Sequence, residues 1–385
     1  MLAAAVLVAG CGDEPAEVPR GAAGLSAPAV KLRAQLSATL AARAWLTAFS
    51  VRTTLVDGAR SPTALAARRT LDAGSEALAS RLADAFGRRT ETRALVLLRR
   101  QDKLWAGVAR ARAGGRTVAD VGLDANRTAL AELLSTEGLP AAELRVELEP
   151  ADTSLASAIA AVAAGAPRAP ARTAVAAERA TRPAATLALA AARRRPELTG
   201  GPTSPAAELA DLAASAFTDS AYAQAATDAV VVAGATRGVR LRAAIRTLDA
   251  TTDTLGQFVA SVYGENAGGR FVALWSAHTV AFTDYARAKV NADAVVAQRA
   301  LVALKRFRGE TLGLLDELDP GGPRRKLSAV LTEHVDTTTA AIRAQATNSP
   351  KLGSRLLVAA KASRAVGRAL AARFARQFPE KLPAD

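Results

Sequence analysis

TLDAGSEALASRLADAFG, residues 70–87, returns with the same landmarks as TLDATTDTLGQFVASVYG at residues 247–264. The two are offset by 177 positions, and the register holds onward without a gap: Arg93 meets Arg270, Leu97 meets Leu274, and Ala109-Arg110-Ala111 meets Ala286-Arg287-Ala288. Later the offset becomes 183, where Val175-Ala176-Ala177 matches Val358-Ala359-Ala360, Leu187 matches Leu370, and Pro196-Glu197 matches Pro379-Glu380. An insertion of six residues in the second copy (183 less 177) accounts for the change. Alanine coincidences mean little in so alanine-rich a chain, but Leu-Asp, Gly, Arg and Pro-Glu recurring in order at fixed spacing do. We read an internal duplication with copies over 30–198 and 206–382, joined by the turn-forming linker 199–205, Thr-Gly-Gly-Pro-Thr-Ser-Pro.

Each copy reads as all-α. The apolar half of the chain is mostly alanine with scattered leucine and valine, and aromatic residues make up only 4%, which favours close-packed helices over sheets. In the second copy, helices are expected at about 207–232, 237–262, 266–290, 292–318, 323–346 and 350–377. Their stops are Gly234, Gly264, the Asp319-Pro320-Gly321-Gly322-Pro323 turn, Ser349-Pro350 and Pro379. The first copy repeats the plan, with breaks at Asp57-Gly58, Gly87, Gly114-Gly115, Gly138-Leu139-Pro140 and Pro167 or Pro170. Short links between long helices imply antiparallel neighbours, hence two tandem up-down helical bundles. The one strand-like run, Val230-Val231-Val232, is too short for a sheet.

The start of the chain points to export. Leu2 to Ala9 is uniformly apolar, and Val8-Ala9-Gly10-Cys11 looks like a lipobox, with residues 1–10 as signal peptide and Cys11 as the lipidated residue. Cys11 is the sole cysteine; its thiol would take a diacylglycerol, small residues before it admit the peptidase, and the new amino terminus can be acylated in turn. Two or three acyl chains anchor stably where one is marginal. Only Met1 and Leu2 precede the apolar run, short of the basic opening such signals carry, which points to a start further upstream. Residues 11–29 then form a Pro-, Gly- and Ala-rich tether. No later segment is apolar for the ~18 residues a span needs, so the lipid is the expected anchor.

A net charge of +14 is first of all what the Ala- and Arg-rich coding of a GC-rich genome produces, and an anionic partner is the competing reading. Nucleic acid is disfavoured by the export signal and by the lack of basic runs interleaved with aromatics. Anionic lipid headgroups, a wall polymer or an envelope protein remain the expected partners at the extracytoplasmic face of the cell membrane.

Chemistry has few places to reside. Both histidines lie in the second copy. Phe271, Leu274, Trp275, His278, Phe282 and Tyr285 step by three and four along one helix, as do Leu327, Leu331, His334, Thr338 and Ile342 along another, so both rings face inward. His278 lies about 12 and His334 about 11 residues into parallel helices, or roughly 18 and 17 Å, which places them in one layer. Two imidazoles could ligate copper or zinc, with Asp284, Glu333 or Asp336 completing the set, or flank a haem; packing against each other, tyrosine or threonine is the competing reading. The first copy carries Gln101 and Ala151 at those places, so any site occurs once. No Ser-His-Asp spacing suggests a triad and no Gly-rich loop follows a strand, so no catalytic residue is expected. The glycine-rich 264–269 segment reads as a helix-linking turn, although a helix start can hold an anion. Asp316 with Asp319, and Asp249 with Asp253, read as solvated faces.

Tyr263-Gly264-Glu265-Asn266-Ala267-Gly268-Gly269-Arg270-Phe271, continuing through Leu274-Trp275-Ser276-Ala277-His278, resembles a recurring element of exported bacterial helical-bundle proteins of unassigned function. Leu331 to His334 and the closing Gln377-Phe378-Pro379 extend the resemblance over about residues 240–382. Related proteins often carry a further His and Met on the last helix, where this chain has Ala362 and Ser363. That departure weakens a metal site, and the resemblance implies no activity. From the lipobox, the basic charge and the histidine pair, the expected function is a non-enzymatic envelope lipoprotein with a binding or scaffolding role, the alternative a metal- or cofactor-binding one using His278 and His334.

Lipidation is directly testable. Cys11→Ser is expected to abolish acyl labelling and move the protein out of the membrane fraction; membrane retention with no label on the unmodified chain would refute the anchor.

Overall fold

The computed structural model describes residues 24–116, 121–234 and 238–382; Cys11 and the apolar run before it lie outside the described residues. Among the described residues the architecture is all-helical. The first half contributes α1 (Pro28–Val56), α2 (Pro62–Phe86), α3 (Arg88–Ala113), α4 (Val121–Leu134), α5 (Ala141–Ala163), α6 (Ala169–Thr181) and α7 (Pro183–Arg194). The second contributes α8 (Pro205–Val232), α9 (Val239–Tyr263), α10 (Glu265–Val290), α11 (Ala294–Leu318), α12 (Arg324–Ala346) and α13 (Leu352–Gln377), closed by a short 3₁₀ turn, Pro379–Lys381.

Local sequence explains most ends. Ser61 and Ser204 cap α2 and α8 through their hydroxyls, each followed by proline at the first helical position, where its missing N–H costs nothing. Asp293 caps α11 in the same way. Between α9 and α10 the chain turns on Gly264 alone, with φ of 86°, and its counterpart Gly87 between α2 and α3 has φ of 96°. Only glycine adopts that region without strain. The 264–269 segment is therefore one turning residue followed by helix, and Glu265 sets its own carboxylate in the first turn. Helices α2 and α9, and α3 and α10, differ by 177 at both ends, while α5 and α12 differ by 183 at both ends. The first half departs from the plan at its end: where α13 runs unbroken, Pro183 splits the corresponding stretch into α6 and α7. The missing proline N–H and the ring's clash with the preceding turn explain the break.

Sequential helices pack on one another within each half, and α1 and α8 close their own halves by returning against α6 and α7 and against α13. The two halves do not hang from a flexible linker. Helix α1 lies along α8, α13 against α2, and α6 against α8 and α9. The linker itself is tied down, since Ala29 N–H donates to Thr199 O at 3.1 Å and Arg33 reaches Pro202 O at 2.9 Å. Residues 41–48 of α1 are all buried, the mark of a helix covered on every side.

At the centre, Trp45 of α1 stacks on Tyr222 of α8, with ring centroids 6.2 Å apart and planes at 12°. These residues are 177 apart, the same offset that separates α2 from α9 and α3 from α10. Leu46, Leu71, Ala177 and their equivalents Ala223, Leu248 and Ala360 complete this cluster. Trp45 Nε1 donates to Asp219 Oδ1 at 3.0 Å, and Arg33 pairs with Asp211 at 2.8 Å across the same seam. Helix α13 approaches α2 through Gly353, where a Cβ would overlap the Thr70 hydroxyl.

Trp45→Ala leaves a cavity in the seam and an indole acceptor unpaired. It is expected to lower unfolding stability by about 3–5 kcal/mol. The check is chemical denaturation, with loss of cooperativity if the halves separate; a change below about 1 kcal/mol would show the seam to be incidental.

Candidate site: a buried histidine pair

Helices α10 and α12 bring His278 and His334 together. Their Nε2 atoms lie 3.2 Å apart, and both side chains are buried. His278 Nδ1 is 2.5 Å from Trp275 O, which fixes it as the donor there and leaves Nε2 to accept. His334 Nε2 then donates, and His334 Nδ1 has no partner among the described residues. The rings are boxed by aromatics: His278 stacks on Phe307 at 4.3 Å, His334 on Trp275 at 5.5 Å, and Phe282 meets both by its edge or face. Trp275 Nε1 is held by Ser220 Oγ at 3.1 Å.

This environment opposes charge. Burial, reinforced by His334, holds His278 well below the ordinary imidazole value, and burial pushes His334 down to about 4. Both rings are neutral at neutral pH.

As a ligand set the pair is half complete. Two nitrogens on a tetrahedral zinc with bonds near 2.0–2.1 Å stand about 3.3 Å apart, so the spacing fits. The remaining directions meet Trp275, Phe282 and Phe307. Glu333 and Asp336 are exposed, Asp284 pairs with Arg287 at 2.7 Å, and no cluster of three His, Cys, Asp or Glu capable of holding a metal occurs among the described residues. A haem does not fit between rings already in hydrogen-bond contact.

The first half builds the same layer differently. Gln101, equivalent to His278, accepts from Arg43 at 2.7 Å and donates to Asp152 at 3.0 Å. Arg43 also donates to Asp102 at 2.5 Å, and Ser75 donates to the other oxygen of Asp102 at 2.9 Å. Arg43 sits at the place of Ser220, so an ionic network replaces the aromatic box. Sequence reasoning missed it. A second missed feature is Arg373, 1% exposed, which pairs with Asp319 at 2.7 Å and donates to Leu315 O and Asp319 O at 2.6 Å each. Asp319 therefore belongs to a buried cap on α11 and not to a solvated face, and Asp316 leans on the same guanidinium at 3.7 Å.

Comparison with known protein families, curated proteins and solved structures finds no match for this chain.

Because both histidine values are depressed in the folded state, the unfolded chain binds the extra protons. Their stabilisation is whole above about pH 6.5 and is lost as pH falls toward 4. Asp219 and Asp228, pushed up to about 7 by burial, act oppositely over that range, so the comparison must be with a variant. His334→Phe is expected to remove about 3 kcal/mol of the acid-induced loss between pH 7 and 4. Parallel pH profiles for the two proteins would contradict a buried neutral pair.

Proposed function

We propose that the chain is a non-enzymatic envelope lipoprotein, held by Cys11, whose mature part is two copies of one up-down bundle and which works by binding an anionic membrane surface. One observation carries the binding reading. On α3, Arg89, Arg93, Arg100, Lys103 and Arg110 are exposed and fall within one third of the helix circumference, and no carboxylate pairs with them among the described residues. Val96, 62% exposed, lies in the middle of the stripe. Cationic side chains around an apolar residue suit a headgroup layer, where each basic residue contributes about 1 kcal/mol. The corresponding face of α10 carries no such stripe. The duplication is supported by the shared offsets of helix ends and by the stacking of Trp45 on Tyr222.

The test uses the full chain with Cys11→Ser, which isolates the surface from the anchor. Co-sedimentation with phosphatidylglycerol vesicles is expected at low salt and lost toward 1 M, where the Debye length falls to about 3 Å. Arg93→Glu with Arg100→Glu and Lys103→Glu should abolish it. Equal binding to phosphatidylcholine, or none to either lipid, overturns the reading; binding only to an anionic wall polymer would move the partner class.

The Nε2 spacing favours a second reading, a copper or zinc ion held between His278 and His334. Under it, either metal raises the melting temperature at neutral pH by mass action and loses the effect in acid, as protons compete for the ring nitrogens. Indifference to both metals leaves His278 and His334 as packing residues.

A further inference from the structure

A cavity of about 270 Å³ opens between the two halves, beside the Trp45–Tyr222 stack. Its walls come in equivalent pairs with unlike chemistry: Phe49 faces the place of Ala226, Arg52 that of Ala229, and Val162 that of Gln345. Apart from Gln345 and Thr173, the polar side chains of its lining are two arginines and the Tyr222 phenol.

The arginines come from different halves. Arg52, in the last turns of α1, has one long hydrogen bond, to Ala229 O at 3.4 Å. Arg240, at the start of α9, lies exposed at the rim, its guanidinium 3.6 Å from where a side chain on Gly165 would begin. Loss of water pushes Arg52 below its ordinary value; Asp57 opposes this and Arg240 adds to it. Two like charges converging on a mostly apolar hollow is unfavourable in the free protein and becomes favourable once an anion lies between them. At about 270 Å³ with a mainly apolar lining, the hollow has room for an alkyl chain of roughly eight to ten carbons.

We infer that the cavity between the halves is a binding site for a single-chain carboxylate, with its alkyl tail beside Trp45 and Tyr222 and its head between Arg52 and Arg240. A few convergent polar groups at one end of an apolar pocket is the usual form of such a site. The site is distinct from the histidine pair and from the α3 stripe, so it stands or falls separately from both.

Titration calorimetry on the full chain with decanoate, below its micelle concentration, tests the site. Saturable one-to-one binding is expected, with decanol weaker and decyltrimethylammonium absent. Arg240→Ala, at an exposed position that leaves the fold intact, should weaken decanoate about tenfold and leave decanol unchanged, the loss appropriate to one charged hydrogen bond. Ala229→Phe, which fills the hollow, should abolish binding of both; Ala166→Trp at the rim gives the same reading should that variant fail to fold. 10-Bromodecanoate should quench tryptophan fluorescence, and Trp45→Phe should remove the quenching. Binding of the cationic amphiphile as tight as that of decanoate, full affinity in Arg240→Ala, or quenching that survives Trp45→Phe would each overturn the assignment.

Discussion

A helix covered on every side is not stabilised by its own bundle alone. Residues 41–48 of α1 present alanine, Trp45 and Leu46 to more than one neighbour, and α8 covers α1 as extensively as α2 does. Alanine permits the close approach, and the Trp45–Tyr222 stack adds aromatic area where alanine would bury little. Gly353 against Thr70 and Arg33 against Asp211 extend the same seam. Trp45 meets a residue 177 positions away, and Leu46, Leu71, Ala223 and Leu248 of the same cluster keep that offset in pairs.

Equivalent layers in the two halves reach polar satisfaction by opposite routes. Around Arg43 the first half places charges that satisfy one another through Gln101, Asp102, Ser75 and Asp152. Around Trp275 the second half uses neutral rings and dispersion, with a single histidine–histidine hydrogen bond. Each is internally consistent, and a transplant of one partner alone would leave a buried charge without its counterpart. This coupling explains why the residues at Gln101 and His278 differ together with those at Arg43 and Ser220.

The helix plan was legible because glycine and proline punctuate it. The expected 237–262 is Val239–Tyr263, and the expected 323–346 is Arg324–Ala346. The inward aim of His278 and His334 followed from steps of three and four, and their meeting followed from counting residues along parallel helices. What escaped was everything that depends on contact between the halves. The alanine-rich face of α1 shows no contrast between buried and exposed sides, so periodicity is silent about α8. Arg43, Asp102 and Asp152 are scattered over three helices and look individually like solvated charges, as Asp319 did. The split at Pro183 is local, since a proline inside a helical stretch breaks it by itself.

The seam also imposes an order of events on the chain. Trp45 meets Tyr222 across 177 residues, a separation that makes closure of this contact slow compared with local helix pairing. During synthesis α1 emerges long before α8, and its alanine and tryptophan face stays bare until the second half arrives. A first half waiting in that state offers the face to any other molecule it meets. Covalent linkage of the two halves raises the local concentration of the correct partner above that of any stranger, which turns an assembly problem into a folding one.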